Sequence, residues 1–594
     1  MDPASTMSTM VDDVGSLALP DKSRDEFEVL QELQGGPLFV DSDFAPDGAA
    51  LGEGVASAAI GWRRMSEAVP DGSLFIDGEL PGDLDAGIDR SDGTLDVAWF
   101  AGALATVATR ADLLLRLFES VDNEEHGMLS LRFFKHAAWR TVLIDTMVPC
   151  ASDGTPAFCR AMSESELWPT MLLKGYAKMH GSYARLDAGD AGEALVDLTG
   201  GALTRERMPA LLQNDEDERV LERLWQSMRD TEREGGLLAM EVGGGEGGDG
   251  LLAGRLYPVL ECYEDDGGGG CVRLLRMRNP WGGDGWEGAF GHASEELEAM
   301  ASQLARDDAG GAFWMQLEDA AQVFKLLYAV RIFSDGWQAM GCEGAWRAES
   351  SGGAPSEPSW CDNPQFWLSL SGPGAPTATV YAVLSQRDGR IEVPAADGGD
   401  GGDEGAGGAG GAANEGGIAT ADDTDEGGGG GGPQGQGQGQ PYLPVSLSLL
   451  RGGAASSKAY GRIWQRTRRN VVLDGRPARR REVLPPLPAS LWALLPLPVG
   501  AYAPPLPNVQ WQVLLRAVLR RGVAYCVVPS CMDRATRAPF CLRFFCDAPF
   551  ELQQAPPSRH AACDGAWDAA SAGGPRQSPN WNLNPQFWLT LRPP

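Results

Sequence analysis

Apolar residues recur at helical spacing over 95–121, LDVAWFAGALATVATRADLLLRLFESV, a run long enough for one buried helix. The next stretch, GMLSLRFFKHAAWRTVLID at 127–145, alternates and is rich in β-branched and aromatic residues, predicting two strands and a turn. ELWPTMLLKGYAKMHG (166–181) returns to helical spacing, and 205–234 reads as a helix with solvated charged faces. A short helix is predicted at 24–34, strand-like runs at 235–279, and strand-sized apolar runs cut by prolines over 441–555. The predicted order is a helical half, a β-rich half and an all-β unit.

Glycine dominates 395–440, where the backbone entropy lost on ordering is too large for packing, so this stretch reads as a flexible insertion. Residues 342–370 and 563–591 match without a gap at an offset of 221, sharing NPQFWL and the tryptophans at 346/567 and 360/581. A single strand and turn cannot bury a core, so the second copy is expected to be the start of a longer array.

The 594 residues have 43% hydrophobic content, enough for several cores, and a net charge of −33, which disfavours nucleic-acid binding. The Met1 end has neither the basic start nor the apolar run of a signal peptide, and no uninterrupted apolar stretch is long enough for a transmembrane helix. The eleven cysteines lack zinc-site spacing and read as reduced, mostly buried thiols, so a cytoplasmic location is expected. The basic runs at 462–472 and 476–483 are local exceptions in an acidic chain.

Several stretches resemble the calpain family in order: PLFVDSDF (37–44), GWRRMSEA (61–68), SLFIDG (73–78), GTLDVAWFAGAL (93–104), the helix at 166–181, LLRMRNPWGGDGWEGAF (274–290) and GAFWMQLEDAAQVF (311–324). NPQFWL and the segment 524–545 are similar to the family's C2-like β-sandwich. The resemblance implies an α+β chain with a papain-like core of two half-domains. Its expected parts are an acidic lead (1–36), a helical half-domain (37–201), a β-rich half-domain (202–335), a sandwich (336–555) carrying the insertion, and the start of a second sandwich (556–594).

The family's chemistry needs a thiolate, a histidine to take its proton and an asparagine to orient the imidazole. The resemblance places Ala98 at the nucleophile position with Trp99 beside it, and Arg255 (in GRLYPV) at the histidine position. Asp92 stands where a glutamine would stabilise the oxyanion; Asn279 is retained, with Trp281 nearby. A methyl group is not a nucleophile, and a guanidinium cannot accept a proton near neutrality. For Asn279 alone, capping the turn before Pro280 is the simpler role, and Trp99 and Trp281 read as cleft-wall aromatics.

The resemblance also implies two calcium sites. The first would draw on Asp89 and Glu166; at the second, Gly285, His292, Gly310 and Ala312 stand where carboxylates are needed. Calcium is therefore expected at one site at most. Three functional readings follow: an inactive homologue that binds polypeptides or regulates partners, a calcium-dependent cysteine endopeptidase using other residues, or a fragment of a larger calpain-like array. A membrane-surface contact by the sandwich is left open.

Overall fold

The computed structural model describes residues 26–33, 36–55, 60–75, 84–85, 95–161, 166–209, 215–243, 249–265, 271–283, 285–292, 294–300, 303–304, 311–334, 336–348, 350–388, 390, 443–454, 471–475, 511–534 and 536–555. Asp89, Asp92, Gly310, His560, the insertion 395–440, most of both basic runs and the second repeat copy lie outside them. So does the acidic lead before residue 26.

Helix α1 (Glu26–Leu33) carries two glutamates in its first turn, where the helix dipole favours negative charge. It buries Val29 against Phe39, Met128 and Leu143. Helix α2 (Ala98–Ala108) is apolar on every side, and ten of its eleven residues are buried, as expected of a helix inside a core. Helix α3 (Trp168–His180) starts with a proline in its first turn and ends at Gly181, whose φ of 96° lies in the left-handed region. Helix α4 (Ala191–Thr199) is capped by Asp190, whose carboxylate accepts from the Glu193 N–H at 3.0 Å. The amphipathic α5 spans Asp215–Arg233.

Strands β1 (Phe118–Ser120), β2 (Met128–Lys135) and β3 (Ala138–Asp145) form an antiparallel sheet. The β2–β3 turn is His136–Ala137, both at positive φ, the two-residue turn that matches strand twist. A six-stranded antiparallel sheet follows, built from β4 (Ala202–Arg207), β5 (Leu237–Val242), β6 (Leu256–Asp265), β7 (Val272–Arg278), β8 (Ala312–Gln316) and β9 (Phe324–Arg331). Its order is β8-β7-β6-β5-β9-β4. One continuous core joins it to the helices through Phe100, Leu104, Tyr176, Leu195, Met240 and Leu275.

The remaining strands form two further sheets. One has the order β10-β17-β12-β15, with β10 Gln338–Trp346, β12 Thr377–Gln386, β15 Gln512–Arg520 and β17 Ala538–Cys546. The other is β14-β13-β16-β11-β18, with β11 Phe366–Leu370, β13 Val445–Ala454, β14 Val471–Gly475, β16 Val523–Cys531 and β18 Phe550–Gln554. The pair closes over one core that includes Trp346, Leu368, Leu447 and Phe544. Phe333, just after β9, stacks on Phe545 of β17 at 3.9 Å and ties the six-stranded sheet to this pair.

Two predicted helices are shorter than their apolar patterns. The run 95–121 breaks after Ala108: Arg110 leaves the helix and donates to the Gly235 carbonyl at 2.8 Å, and a five-residue helix and β1 follow. The run 205–234 begins as strand β4, because pairing with β9 outweighs local helical spacing.

Candidate active-site cleft

The start of α2 is pinned from outside the helix. The Asp96 carboxylate faces the Ala98 N–H at 3.4 Å, and the Asp96 N–H donates to the Asp187 carboxylate at 2.9 Å. Ala98 itself is 3% exposed and presents only a methyl group. Trp99 donates its indole N–H to the Leu186 carbonyl at 3.0 Å. Its ring lies on the backbone at Gly189, where any Cβ would come within 2.2 Å of it.

The six-stranded sheet packs directly against this helix. Gly102 sits one turn along α2 from Ala98, on the same face. A Cβ at Gly102 would lie 2.8 Å from Leu256 Cβ and 3.4 Å from the Trp281 ring. Trp281 donates its indole N–H to the Leu256 carbonyl at 3.1 Å, and the Arg255 guanidinium lies over its ring, 5.6 Å from the centroid. The Gly102 turn of α2 and the Leu256–Trp281 pair therefore belong to one contact between helix and sheet, with Arg255 on the Trp281 ring.

Asn279 follows β7 and is 2% exposed. Its Nδ2 donates to the Gly282 carbonyl at 2.7 Å, and its Oδ1 faces the Trp281 N–H at 3.2 Å. Its amide thus holds its own turn together. Trp281 is the common neighbour of Arg255, Asn279 and the Gly102 turn of α2.

The described histidines are placed elsewhere. His126 lies in the single helical turn at Glu124–His126, His136 at the β2–β3 turn, His180 at the end of α3, and His292 on the surface. The described thiols are elsewhere as well. Cys150 and Cys159 are buried beneath the helices, and burial pushes the Cys150 thiol above its ordinary range. Burial likewise raises Cys342 and Cys541 to about 12. The exposed Cys271 has its thiol 3.5 Å from the Glu264 carboxylate.

The description "Calpain family cysteine protease" matches residues 39–331. The chain belongs to the calpain family. It is 31% identical over 353 residues to the calpain-type cysteine protease ADL1 of Oryza sativa, a match covering 56% of this chain and 16% of that protein. It is 32% identical over 371 residues to DEK1 of Arabidopsis thaliana, covering 59% and 17%, and 28% identical over 397 residues to calpain-9 of Rattus norvegicus, covering 61% and 55%. The matches thus span about a sixth of the plant proteins and about half of the rat one.

Against the calcium sites implied by the calpain resemblance, the donor set fits poorly. At the second site, Gly285 and Ala312 have no side-chain oxygen and His292 is an exposed imidazole. Of the first pair, Glu166 is buried beside Ser73, to which its segment is bridged. Among the described residues, no group of three or more His, Cys, Asp or Glu side chains is arranged to hold a metal. Nor is any described helix long and apolar enough to cross a membrane.

A cluster of charges that sequence reading missed lies where α3 and α4 meet the later sheets. The Lys135 ammonium lies 2.5 Å from Asp197, 2.8 Å from Asp388 and 3.4 Å from Glu193. Arg390 pairs with Glu193 at 2.7 Å and Asp388 at 3.0 Å, and its guanidinium lies 5.3 Å from the Trp99 ring centroid. One signal was available: Glu193 and Asp197 are four apart, on one face of an otherwise apolar helix.

Proposed function

We propose that this calpain-family chain does not cleave peptide bonds and acts as a polypeptide-binding or regulatory module. The reading is supported by the chemistry of the residues present: the buried Ala98 begins α2, and Arg255 lies on Trp281, which faces the Gly102 turn of the same helix. A methyl cannot attack a carbonyl, and a guanidinium stays protonated near neutrality. Loss of a nucleophile–base pair costs on the order of 10⁶ in kcat, and the losses do not add. With its amide engaged in its own turn, Asn279 keeps a structural role.

On this reading the papain-like half-domains at 37–201 and 202–335 frame a groove that takes an extended polypeptide by strand-like hydrogen bonding. The sheets at 336–555 serve as a C2-like sandwich, and the protein works in the cytoplasm with its thiols reduced. The competing reading, a calcium-dependent cysteine endopeptidase, is supported by the names of the relatives, which are calpains and calpain-type cysteine proteases.

The test is casein digestion by the purified chain with and without calcium, in parallel with an activity-directed thiol probe. No calcium-dependent cleavage and no selectively labelled cysteine are expected. Cleavage abolished by blocking one labelled thiol would establish the endopeptidase instead.

A further inference from the structure

An open sheet ends in strands whose outer N–H and C=O groups have no ladder partner, and such edges invite a further strand. In this chain the edges are unequal. β4 carries Arg205, Glu206 and Arg207, and β15 carries Arg516 and Arg520. β8, β14 and β18 are five residues long. Charge and short length are ordinary means of keeping other chains off an edge.

β10 has neither protection. It runs for nine residues, QAMGCEGAW, with Glu343 as its one charge and no proline. Its register with β17 is unbroken from the Gln338–Cys546 pair to the Trp346–Ala538 pair, so no bulge turns the edge away. It ends the sheet β10-β17-β12-β15, and among the described residues no backbone group outside β17 bonds to it. Every second residue of an antiparallel edge strand turns its N–H and C=O outward, so β10 offers a row of donors and acceptors at strand spacing.

The side chains of β10 indicate what fits beside it. On one face Met340, Cys342 and Trp346 belong to the sandwich core; Cys342 and Trp346 are buried, whereas Met340 is half-buried at the rim. On the other face Glu343 is exposed and forms no ion pair among the described residues. Its neighbours on that face, Gly341 and Ala345, are small and leave it open to approach. A strand added to β10 sets its own alternate side chains against these two rows. One row covers Met340 and the apolar rim, and the other meets Glu343. Apolar and basic residues in alternation satisfy both.

We propose that the outer edge of β10 is a docking site for an extended polypeptide segment that alternates apolar and basic residues, bound as a further strand of the sandwich sheet. The net charge of −33 draws basic segments to the chain and sets two copies of it against each other, so a second copy is the poorer occupant. The site stands apart from the groove of the core, and neither requires the other.

The test uses the full chain and the nonapeptide VKVKVKVKV, with hydrogen exchange read at 338–346. Bound peptide should slow exchange there about tenfold, with β2 and β3 unchanged as the internal control. The analogue N-methylated at every amide keeps the side chains, has no donors, and should give no slowing. VEVEVEVEV should bind about fivefold more weakly, and Glu343→Lys, at an exposed position, should reverse that preference. No slowing at 338–346 with VKVKVKVKV, equal slowing at β2 and β3, or equal slowing with the N-methylated analogue overturns the site. Slowing confined to α2 and β6 also overturns it, while supporting the groove of the core. Slowing at 338–346 that grows with protein concentration in the absence of peptide would give the edge to a second copy and overturn the polypeptide as its occupant.

Discussion

At the contact between α2 and β6, Arg255 lies on the Trp281 ring, which faces the Gly102 turn of the helix that begins at Ala98. At the junction with the later sheets, Lys135, Glu193, Asp197, Asp388 and Arg390 hold one another in a dry cluster. The first region lies where the calpain resemblance places the reaction, and the second holds the scaffold together. The contrast shows that the groups organising this fold differ from those a reaction needs. Gly102 packs on Leu256 and Trp281 without any charged group between them.

The comparison predicts unequal costs for removing charge from the two regions. Lys135→Met takes from three buried carboxylates the ammonium they share, and should destabilise the chain by about 3–5 kcal/mol in urea denaturation. A loss below about 1 kcal/mol would mean the cluster is solvated and the contrast false. Asn279→Ala removes the hydrogen bonds of its turn and should cost about 1–3 kcal/mol, with no change in casein turnover. An effect on turnover would return Asn279 to catalysis.

Arg255→Ala should cost only about 0.5–1 kcal/mol by the same measurement, since it gives up a stacked cation on Trp281. A cost comparable with that of Lys135→Met would place Arg255 in a charged network of its own. Calcium should have the smallest effect. Titration calorimetry should find at most one equivalent, because Gly285, His292 and Ala312 supply no carboxylate. Two equivalents would require a different donor set.

Much of this was legible along the chain. The apolar runs mark α2 and α3, and alternation marks the β2–β3 hairpin, because each follows from local periodicity. Arg255 and Asn279, named from separate motifs, both meet Trp281, which also faces the Gly102 turn of α2. The strand at the head of 205–234 also left a mark, since Pro209 disfavours helix at the preceding residue.

The junction was not legible as a site. Its members are scattered from Lys135 to Arg390, and only the tertiary fold brings them within reach of one another. Buried charge specified by long-range contacts leaves no spacing to read. Only the pair Glu193 and Asp197 gave a local signal, and a pair of acids on a helix is more often a solvated face.

The most direct test places a thiol at the first of the expected reaction positions. In the variant Ala98→Cys, the rate at which the introduced thiol is alkylated against pH, located by mass spectrometry, reports that thiol's pKa. A guanidinium on the same wall should hold it below the ordinary thiol value of about 8.5, and Arg255→Ala in that background should move it back up. An identical pKa with and without Arg255 would show that the two positions do not face one another, and would contradict the account of an unreactive cleft.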